Sequence, residues 1–376
     1  MKAILVTGST GFLGSEFIAE ALSRGIKVIA LARNNDGECR VSSVLNKILK
    51  EKLLIIPNLS TSLITINFDG DWVNLLKNLK ATEVDFEAVY HLAANMSYSP
   101  SKVVKSFEVN QKQSVELYQF INDHFPTTRH FFYISTAFTA GINPPSLIKE
   151  ELHTAPELIN SYQMSKWAAE ISLSLLSKTL TVPLTIIRPS IIVGDRHTGR
   201  YSGKDFGFYM FIKAFLAAKS LGIKTIHLDM LPNSSINIIS VKDVVDSLLL
   251  LGKGRATPPA HIIHLTCENG TKVSKVAQAL KEAWDFDLIF APPVTVTDKI
   301  VDKQIKPNKE FAQFGKWNFE VNAVKNGPYF QAKEFSTEEL KRMFVYYEKH
   351  FSTGLKVEAI KNIFNSFAFK HKRKKK

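Results

Sequence analysis

The most constraining feature of this chain lies at its start, in Ala3-Ile4-Leu5-Val6-Thr7-Gly8-Ser9-Thr10-Gly11-Phe12-Leu13-Gly14. The apolar run from Ala3 to Val6 reads as a strand buried on both faces, as in a parallel sheet. It gives way to three glycines at G-x-x-G-x-x-G spacing, after which Phe17, Ile18, Ala21 and Leu22 recur at helical spacing. Strand, tight glycine turn and helix together let a backbone approach a pyrophosphate and aim a helix N-terminus at it. Gly8, Thr10, Gly11, Phe12, Leu13 and Gly14 are the candidate contacts. A glycine triplet alone is a weak signal, so its meaning depends on the partners that follow it.

Those partners come in order. Residues 27–32 read as a second strand ending at Arg33. An acid there would accept from a ribose 2′-OH and favour NAD, whereas a cation accommodates the 2′-phosphate of NADP(H). Arg33 therefore points to NADP(H), with Arg40 as a candidate second phosphate contact. Residues 41–56 look helical and 63–68 form a third strand; Asp69 beyond it either accepts from the adenine amino group or serves as a helix N-cap or turn aspartate. Residues 88–94 are a fourth strand running into small side chains, where Ala93 lets the backbone pass close to a nicotinamide ribose. A helix over 101–124 carries Asn110, and strand five, 130–137, ends in hydroxyl residues that include Thr136. A helix with Tyr162 and Lys166 leads to strand six, 184–189, which closes at Pro189 on the cofactor side. Six alternations of strand and helix predict an α/β fold, a Rossmann-type doubly wound parallel sheet with a smaller C-terminal substrate-binding region.

Beyond residue 190 the pattern loosens. The expected plan is an NADP-binding core over 1–190 with 236–265 returning to it, a substrate-binding region over 191–330, and a basic helical extension over 331–376 ending in a disordered tail. Residues 292–310 carry Pro, Lys and Asp without periodicity and read as a linker or lid, whereas Ser336 to Glu339 is a capping box opening a helix. From Lys299 to Lys376 there are 18 Lys and Arg against 8 Asp and Glu, so this segment carries +10 of the net +13. Its end, 370–376, reads either as a solvated tail or as a contact for an anionic membrane surface or an acidic carrier. No nucleic-acid-binding motif precedes it, so nucleic acid is not an expected partner. Two unclustered cysteines, Cys39 and Cys267, argue for a reducing compartment without a disulfide framework or a metal site. With no signal peptide and no apolar run near membrane-spanning length, the expected location is cytoplasmic, with peripheral membrane contact through the basic end.

Hydride transfer to a carbonyl needs an acid for the developing alkoxide. A tyrosine serves if an ammonium lowers its pKa from about 10, and on a helix that places lysine at i+4. Y-x-x-x-K occurs four times, at Tyr98/Lys102, Tyr162/Lys166, Tyr209/Lys213 and Tyr329/Lys333. Pro100 interrupts the first, and the last two lie beyond the sixth strand. Only Tyr162/Lys166 opens a helix between strands five and six, where strand ends meet the cofactor, which leaves the other three as core or surface.

With these residues in order, the chain resembles the extended short-chain dehydrogenase/reductase superfamily over roughly residues 1–270. The matching residues are Thr7-Gly8-x-x-Gly11-x-x-Gly14, His91-Leu92-Ala93-Ala94, Asn110, Ser135-Thr136-Ala137, Tyr162-x-x-x-Lys166 and Arg188-Pro189-Ser190. Gly8 to Gly14, Ile134 to Ala137, Ser165-Lys166-Trp167-x-x-Glu170 and Arg188 to Asp195 followed by Thr198-Gly199 are most similar to the branch of thioester reductases and fatty acyl-CoA reductases. The resemblance implies that Tyr162 donates the proton, that Lys166 lowers its pKa and bonds the nicotinamide ribose, and that Thr136 donates to the substrate carbonyl. It implies that Asn110 holds a water relaying protons to Lys166. The implied activity is NADPH-dependent reduction of an acyl thioester, on CoA or a carrier, to an aldehyde, with a second reduction to the alcohol left open. A chain opening directly on its first strand implies a stand-alone enzyme that receives its thioester from elsewhere. Two alternatives stay open: an NAD(P)-dependent dehydrogenase or epimerase of a secondary alcohol (nucleotide-sugar, steroid or 3-hydroxyacyl), and a cofactor-binding protein with vestigial chemistry.

Overall fold

The computed structural model describes residues 2–33, 36–203, 206–253, 262–268, 270–313, 317–321, 332–353 and 355. The chain forms two compact units. The first comprises Met1–Ser190, Val241–Thr266 and Phe319–Gln331; the second comprises Ile191–Ser240, Cys267–Asn318 and Ala332–Lys376.

The first unit is built on seven parallel strands: β1 (Lys2–Thr7), β2 (Val28–Ala32), β3 (Leu63–Asn67), β4 (Asp85–His91), β5 (Phe131–Ile134), β6 (Leu184–Pro189) and β7 (Ile262–Leu265). Their order across the sheet is β7-β6-β5-β4-β1-β2-β3, the doubly wound arrangement, whose order reverses between β1 and β4. Every residue of β2, β5, β6 and β7 is buried, which is why these strands read as continuous apolar runs. Helix α1 (Phe12–Ser23) follows β1, α2 (Gly37–Lys52) follows β2, α3 (Gln113–His124) precedes β5, α4 (Ser161–Leu176) precedes β6, and α5 (Val241–Lys253) precedes β7. The core on one sheet face joins Leu5, Ile29, Val89, Phe131, Tyr133 and Ile186 to Leu117 and Tyr118 of α3 and Ala169 and Leu173 of α4.

Strands four and five end earlier than their hydrophobicity implies. Residues 92–94 leave the ladder after His91, and Thr136 instead caps a short 3₁₀ turn, Ala137–Ala140, by accepting from the Phe138 N–H at 3.3 Å. The helix expected over 101–124 is continuous but changes winding. A 3₁₀ turn at Pro100–Lys102 leads into Val103–Phe107, then a π-helical turn at Glu108–Lys112, then α3.

In the second unit, strand pairs join Ile191–Val193 to Ile238–Ser240, Thr225–His227 to Asp287–Ile289, and Ser235–Ile236 to Thr271–Lys272. Its helices among the described residues are Phe208–Ser220, Val273–Trp284, Val296–Gln313 and Thr337–Phe351. The expected linker or lid over 292–310 is corrected: most of it is the third of these helices. Thr295 caps it, with its hydroxyl accepting from the Asp298 N–H at 3.0 Å and Asp298 Oδ2 accepting from the Thr295 N–H at 2.7 Å. Aspartate takes the place usually filled by Glu or Gln in this box, and Pro307 sits within the helix, so both sequence signals pointed away from it. Asp298 is fully buried. Burial works to raise its carboxyl, but hydrogen bonds from Thr295, His227 and Val294 hold it below its usual value. The capping box at Ser336 and Glu339 is present in both directions, and Leu340, Met343, Phe344 and Tyr347 form the buried face of its helix. That helix belongs to the second unit rather than forming an extension by itself. The apolar stripe expected at 360–367 and the basic run 370–376 lie outside the described residues. Among the described residues no helix is long and apolar enough to cross a membrane.

Candidate active site

The glycine turn has the geometry a pyrophosphate needs. Gly8 lies at φ +70°, and a Cβ on it would stand 2.7 Å from the Ala93 nitrogen. A Cβ on Gly14 would stand 2.2 Å from the Gly8 carbonyl oxygen. Neither position tolerates a side chain, because the turn folds back on its own backbone and on the segment after β4. Gly11 caps α1 without a side-chain bond to the helix start, and no acid occupies the first turn. The N-terminus of α1 thus carries no acidic side chain in its first turn to repel a phosphate. The residues present fit a dinucleotide.

At the end of β2 the Arg33 side chain is exposed. Arg40, on α2, reaches back to the same place: its guanidinium donates to the Arg33 carbonyl at 3.3 Å and to Thr10 Oγ1 at 3.4 Å, with Asp36 3.8 Å away. Arg33 and the Arg40 guanidinium thus stand together at the second strand's end, beside the glycine turn. Asp69 lies two residues past β3 and accepts from the Asp71 N–H at 3.1 Å. It has the geometry of the turn aspartate; Asp71 in turn caps the helix Trp72–Lys80.

Helix α4 carries the chemistry on one face. Asn160 caps it by accepting from the Gln163 N–H at 2.8 Å, so Tyr162 lies in its first turn, with Lys166 and Glu170 one and two turns on. The Tyr162 phenol lies near Thr136, two residues past β5, close enough for the two side chains to interact. Burial, reinforced by the neighbouring Tyr98 phenol, pushes Tyr162 above its usual value, and the nearby Thr136 side chain works against that rise. Lys166 is buried, donates to the Ile134 carbonyl at 2.6 Å and sits 4.5 Å from the centre of the Tyr133 ring. Burial lowers its ammonium to about 7, with the Glu170 carboxylate opposing the fall. The expectation that Lys166 would pull the tyrosine's pKa down is thus not met in this geometry. Both groups respond first to burial, and the ammonium faces a backbone carbonyl of β5.

Asn110 lies in the π-helical turn. Its Nδ2 donates to the Asn95 carbonyl and to Ser165 Oγ, both at 2.9 Å, and its Oδ1 accepts from the Asn95 N–H at 2.7 Å. Its side chain thus ties the segment after β4 to α4 and makes no bond to Lys166. Ser161 adds a second tie, donating to the carbonyls of Ser97 at 2.7 Å and Ser99 at 3.2 Å. The segment so clamped carries Tyr98, whose ring centre lies 6.2 Å from that of Tyr162. Burial pushes the Tyr98 phenol up to about 12. Sequence spacing left Tyr98 as core or surface, because Pro100 excludes a helical pairing with Lys102; spatially it is a neighbour of the reacting phenol. Of the other repeats, Tyr209 is a core residue of the second unit, stacked on Tyr201 and accepting from the Gly194 N–H at 2.9 Å, and Tyr329 lies outside the described residues.

Two residues without an assigned sequence role support α4 from below. Arg188 of β6 forms a two-pronged ion pair with Glu170, at 3.0 and 2.6 Å, with both side chains fully buried. Arg188 also donates to the Glu151 carbonyl at 2.9 Å. The sequence places Glu170 on the Tyr162/Lys166 face, four residues further on, but carries no signal for its pairing with Arg188. Ala93 donates its N–H to Thr7 Oγ1 at 3.2 Å, and Pro189 pairs with Leu265 at the end of β6.

A family profile described as male sterility protein matches residues 6–247. The hybrid PKS-NRPS synthetase xenE of Xenoacremonium sinensis is 30% identical over 208 residues, which is 52% of this chain and 5% of that protein. The nonribosomal peptide synthetase asaC of Aspergillus flavus is 26% identical over 305 residues, 74% of this chain and 28% of that protein. The chain therefore spans only a small part of the length of these relatives. Among solved structures, a thiolation-reductase di-domain from an archaeal non-ribosomal peptide synthetase superposes with a TM-score of 0.72 at 20% identity, covering 93% of this chain and 75% of that one. A UDP-glucose 4-epimerase from Thermotoga maritima superposes at 0.62 and 20% identity, covering 93% and 99%.

Proposed function

The chain belongs to the male sterility protein family, the thioester-reductase branch of the extended short-chain dehydrogenase/reductases, whose members are NAD(P)-dependent oxidoreductases; from that premise we propose that it reduces an acyl thioester to an aldehyde with NADPH. The observation that carries this reading is the convergence of the Thr136 and Tyr162 hydroxyls at the ends of β5 and α4, with Lys166 one turn along the same face. The relatives are assembly-line synthetases, and one neighbour is a reductase joined to a thiolation domain. These favour a carrier-bound acyl group as the substrate. Arg33 and Arg40 beside the glycine turn favour the 2′-phosphate of NADPH.

Gly8 to Gly14 would hold NADPH, which would supply a hydride for the thioester carbonyl carbon. Thr136 and Tyr162 are placed to donate to the oxygen as it gains charge, the role of an oxyanion hole. With its pKa raised, Tyr162 holds its proton at neutral pH and can give it to that oxygen. Lys166, titrating near neutrality, is placed one helical turn away to restore that proton. The hemithioacetal so formed loses its sulfur: the C–S bond breaks, the carbonyl re-forms as an aldehyde, and the hydroxyl proton leaves with the thiol. The same site geometry would serve a second reduction to the alcohol. Catalysis at a secondary alcohol, as in the epimerases, has less support, because their structures are less similar to this one.

The test is NADPH oxidation across a panel of acyl-CoA and carrier-bound thioesters. Thioester-dependent oxidation is expected, and Tyr162→Phe should lower its rate by about 10²-fold or more while leaving NADPH binding within a few-fold of wild type. Binding of NADPH with no oxidation by any thioester refutes the reading.

A further inference from the structure

A hydrogen-bonded chain that none of the roles above uses runs through the first unit. Thr7 Oγ1, which accepts from the Ala93 N–H at 3.2 Å, lies 2.7 Å from His91 Nδ1. His91 Nε2 lies 2.8 Å from Ser114 Oγ, and that hydroxyl donates to the Asn110 carbonyl at 2.7 Å. The Tyr133 hydroxyl donates to the same carbonyl at 3.2 Å, and its ring is the one beneath Lys166 Nζ. The chain thus crosses β1, β4, the π-helical turn, α3 and β5, beginning one residue before Gly8 and ending under the lysine.

One assignment of the protons satisfies every partner of the ring. A hydroxyl has one proton to give, and Ser114 gives its own to Asn110, so it accepts from a protonated His91 Nε2. His91 Nδ1 must then accept from Thr7, whose oxygen already receives the Ala93 N–H. The neutral Nε2–H ring satisfies all of these groups; a charged ring would leave the Thr7 proton without an acceptor. Burial, with Lys166 second, lowers His91 to about 3, which agrees with the neutral form. The chain terminates in an amide N–H, which does not release its proton, so it conducts none. What it can do is fix positions.

We propose that His91 is a positioning residue that sets the register between the glycine turn and Lys166, acting through Thr7 on one side and through Ser114, Asn110 and Tyr133 on the other. Gly8 packs on the Leu92 and Ala93 backbone with no room for a Cβ, so a displacement of Thr7 is transmitted to the turn. The inference rests on the turn being the dinucleotide site and not on the identity of the thioester.

The experiment measures NADPH affinity by nicotinamide fluorescence on the full chain, with no thioester present, for wild type, Thr7→Val, Ser114→Ala and the double variant. Thermal unfolding of each checks the fold. Thr7 and Ser114 are joined only through His91 in this chain, so independent roles would give multiplied losses. The expected result is that each single change weakens NADPH binding by roughly 5- to 10-fold and the double by no more than about the worse single, since either cut frees the same chain. A double loss near the product of the two, or unchanged affinity in folded single variants, overturns the proposal. His91→Phe should reproduce the double variant; should it fail to fold, the cycle through Thr7 and Ser114 still decides. A wild-type chain that binds NADPH but reduces no thioester refutes the proposed activity and leaves this test readable, whereas one that binds no NADPH refutes both.

Discussion

Lys166 gives the sharpest quantitative test. Its ammonium falls from 10.5 to about 7 on folding, with burial as the leading cause. Between those two values the unfolded chain holds a proton that the folded chain has released, so unfolding free energy rises with pH across this window. Each pH unit inside the window is worth about 1.4 kcal/mol, so the whole fall corresponds to roughly 5 kcal/mol. Between pH 7 and pH 9.5 it corresponds to about 3 kcal/mol. Lys166→Met keeps much of the side chain's length while removing the titration. It also leaves the Ile134 carbonyl without this donor, a pH-independent cost of about 1–3 kcal/mol that cancels when one variant is compared at two pH values. Urea unfolding followed by tryptophan fluorescence, on both proteins at pH 7 and pH 9.5, gives the quantity needed. The wild type should gain about 3 kcal/mol on the Met variant as the pH is raised. A change below about 1 kcal/mol would refute the claim that folding displaces the lysine's proton.

Three further outcomes follow from the same geometry. Arg40→Ala should weaken NADPH about tenfold with little effect on NADH, the difference expected for loss of a charge-assisted phosphate contact; equal effects on both cofactors in a binding titration would remove Arg40 from the 2′-phosphate. Glu170→Gln should cost about 3–5 kcal/mol in denaturant unfolding, because it leaves the Arg188 guanidinium buried without a counter-charge; a loss below about 1 kcal/mol would mean Arg188 finds another partner. Gly14→Ala places a carbon 2.2 Å from the Gly8 oxygen, so the turn must open. NADPH binding should be lost in a protein that remains folded by circular dichroism, and retained affinity would show that the turn adjusts.

Much of this arrangement is legible in the sequence, for reasons that differ from residue to residue. Parallel strands announce themselves as apolar runs, so the buried β1, β2 and β6 and the half-buried edge strand β3 stand close to where hydrophobicity puts them. Tyr162 and Lys166 are legible because helical spacing places them on one face. Strand ends are less so: Thr136 caps a turn instead of extending β5, and alternation carries no mark of that switch. The π-helical turn at Glu108–Lys112 has no composition signature, so Asn110 reads as an ordinary mid-helix polar residue until its bonds to Asn95 and Ser165 are known. The helix Val296–Gln313 was hidden by Pro307 and by an aspartate in the capping box. Long-range pairings are the least legible. Nothing local says that Arg188 answers Glu170, that Arg40 reaches Thr10, or that His91 and Ser114 share a proton.

The stripe of Tyr162, Lys166 and Glu170 has a consequence for how this protein can vary. Donor, ammonium and ion-pair anchor sit at i, i+4 and i+8 of one helix, so their alignment depends on residue count as much as on residue type. Inserting or deleting one residue between Tyr162 and Glu170 would rotate everything beyond it by about 100° and carry Glu170 away from Arg188. The α4 helix is therefore a ruler read in whole turns. Substitutions along its outer face are tolerable drift, but a change of length inside these nine positions removes the proton donor and the buried ion pair from register together.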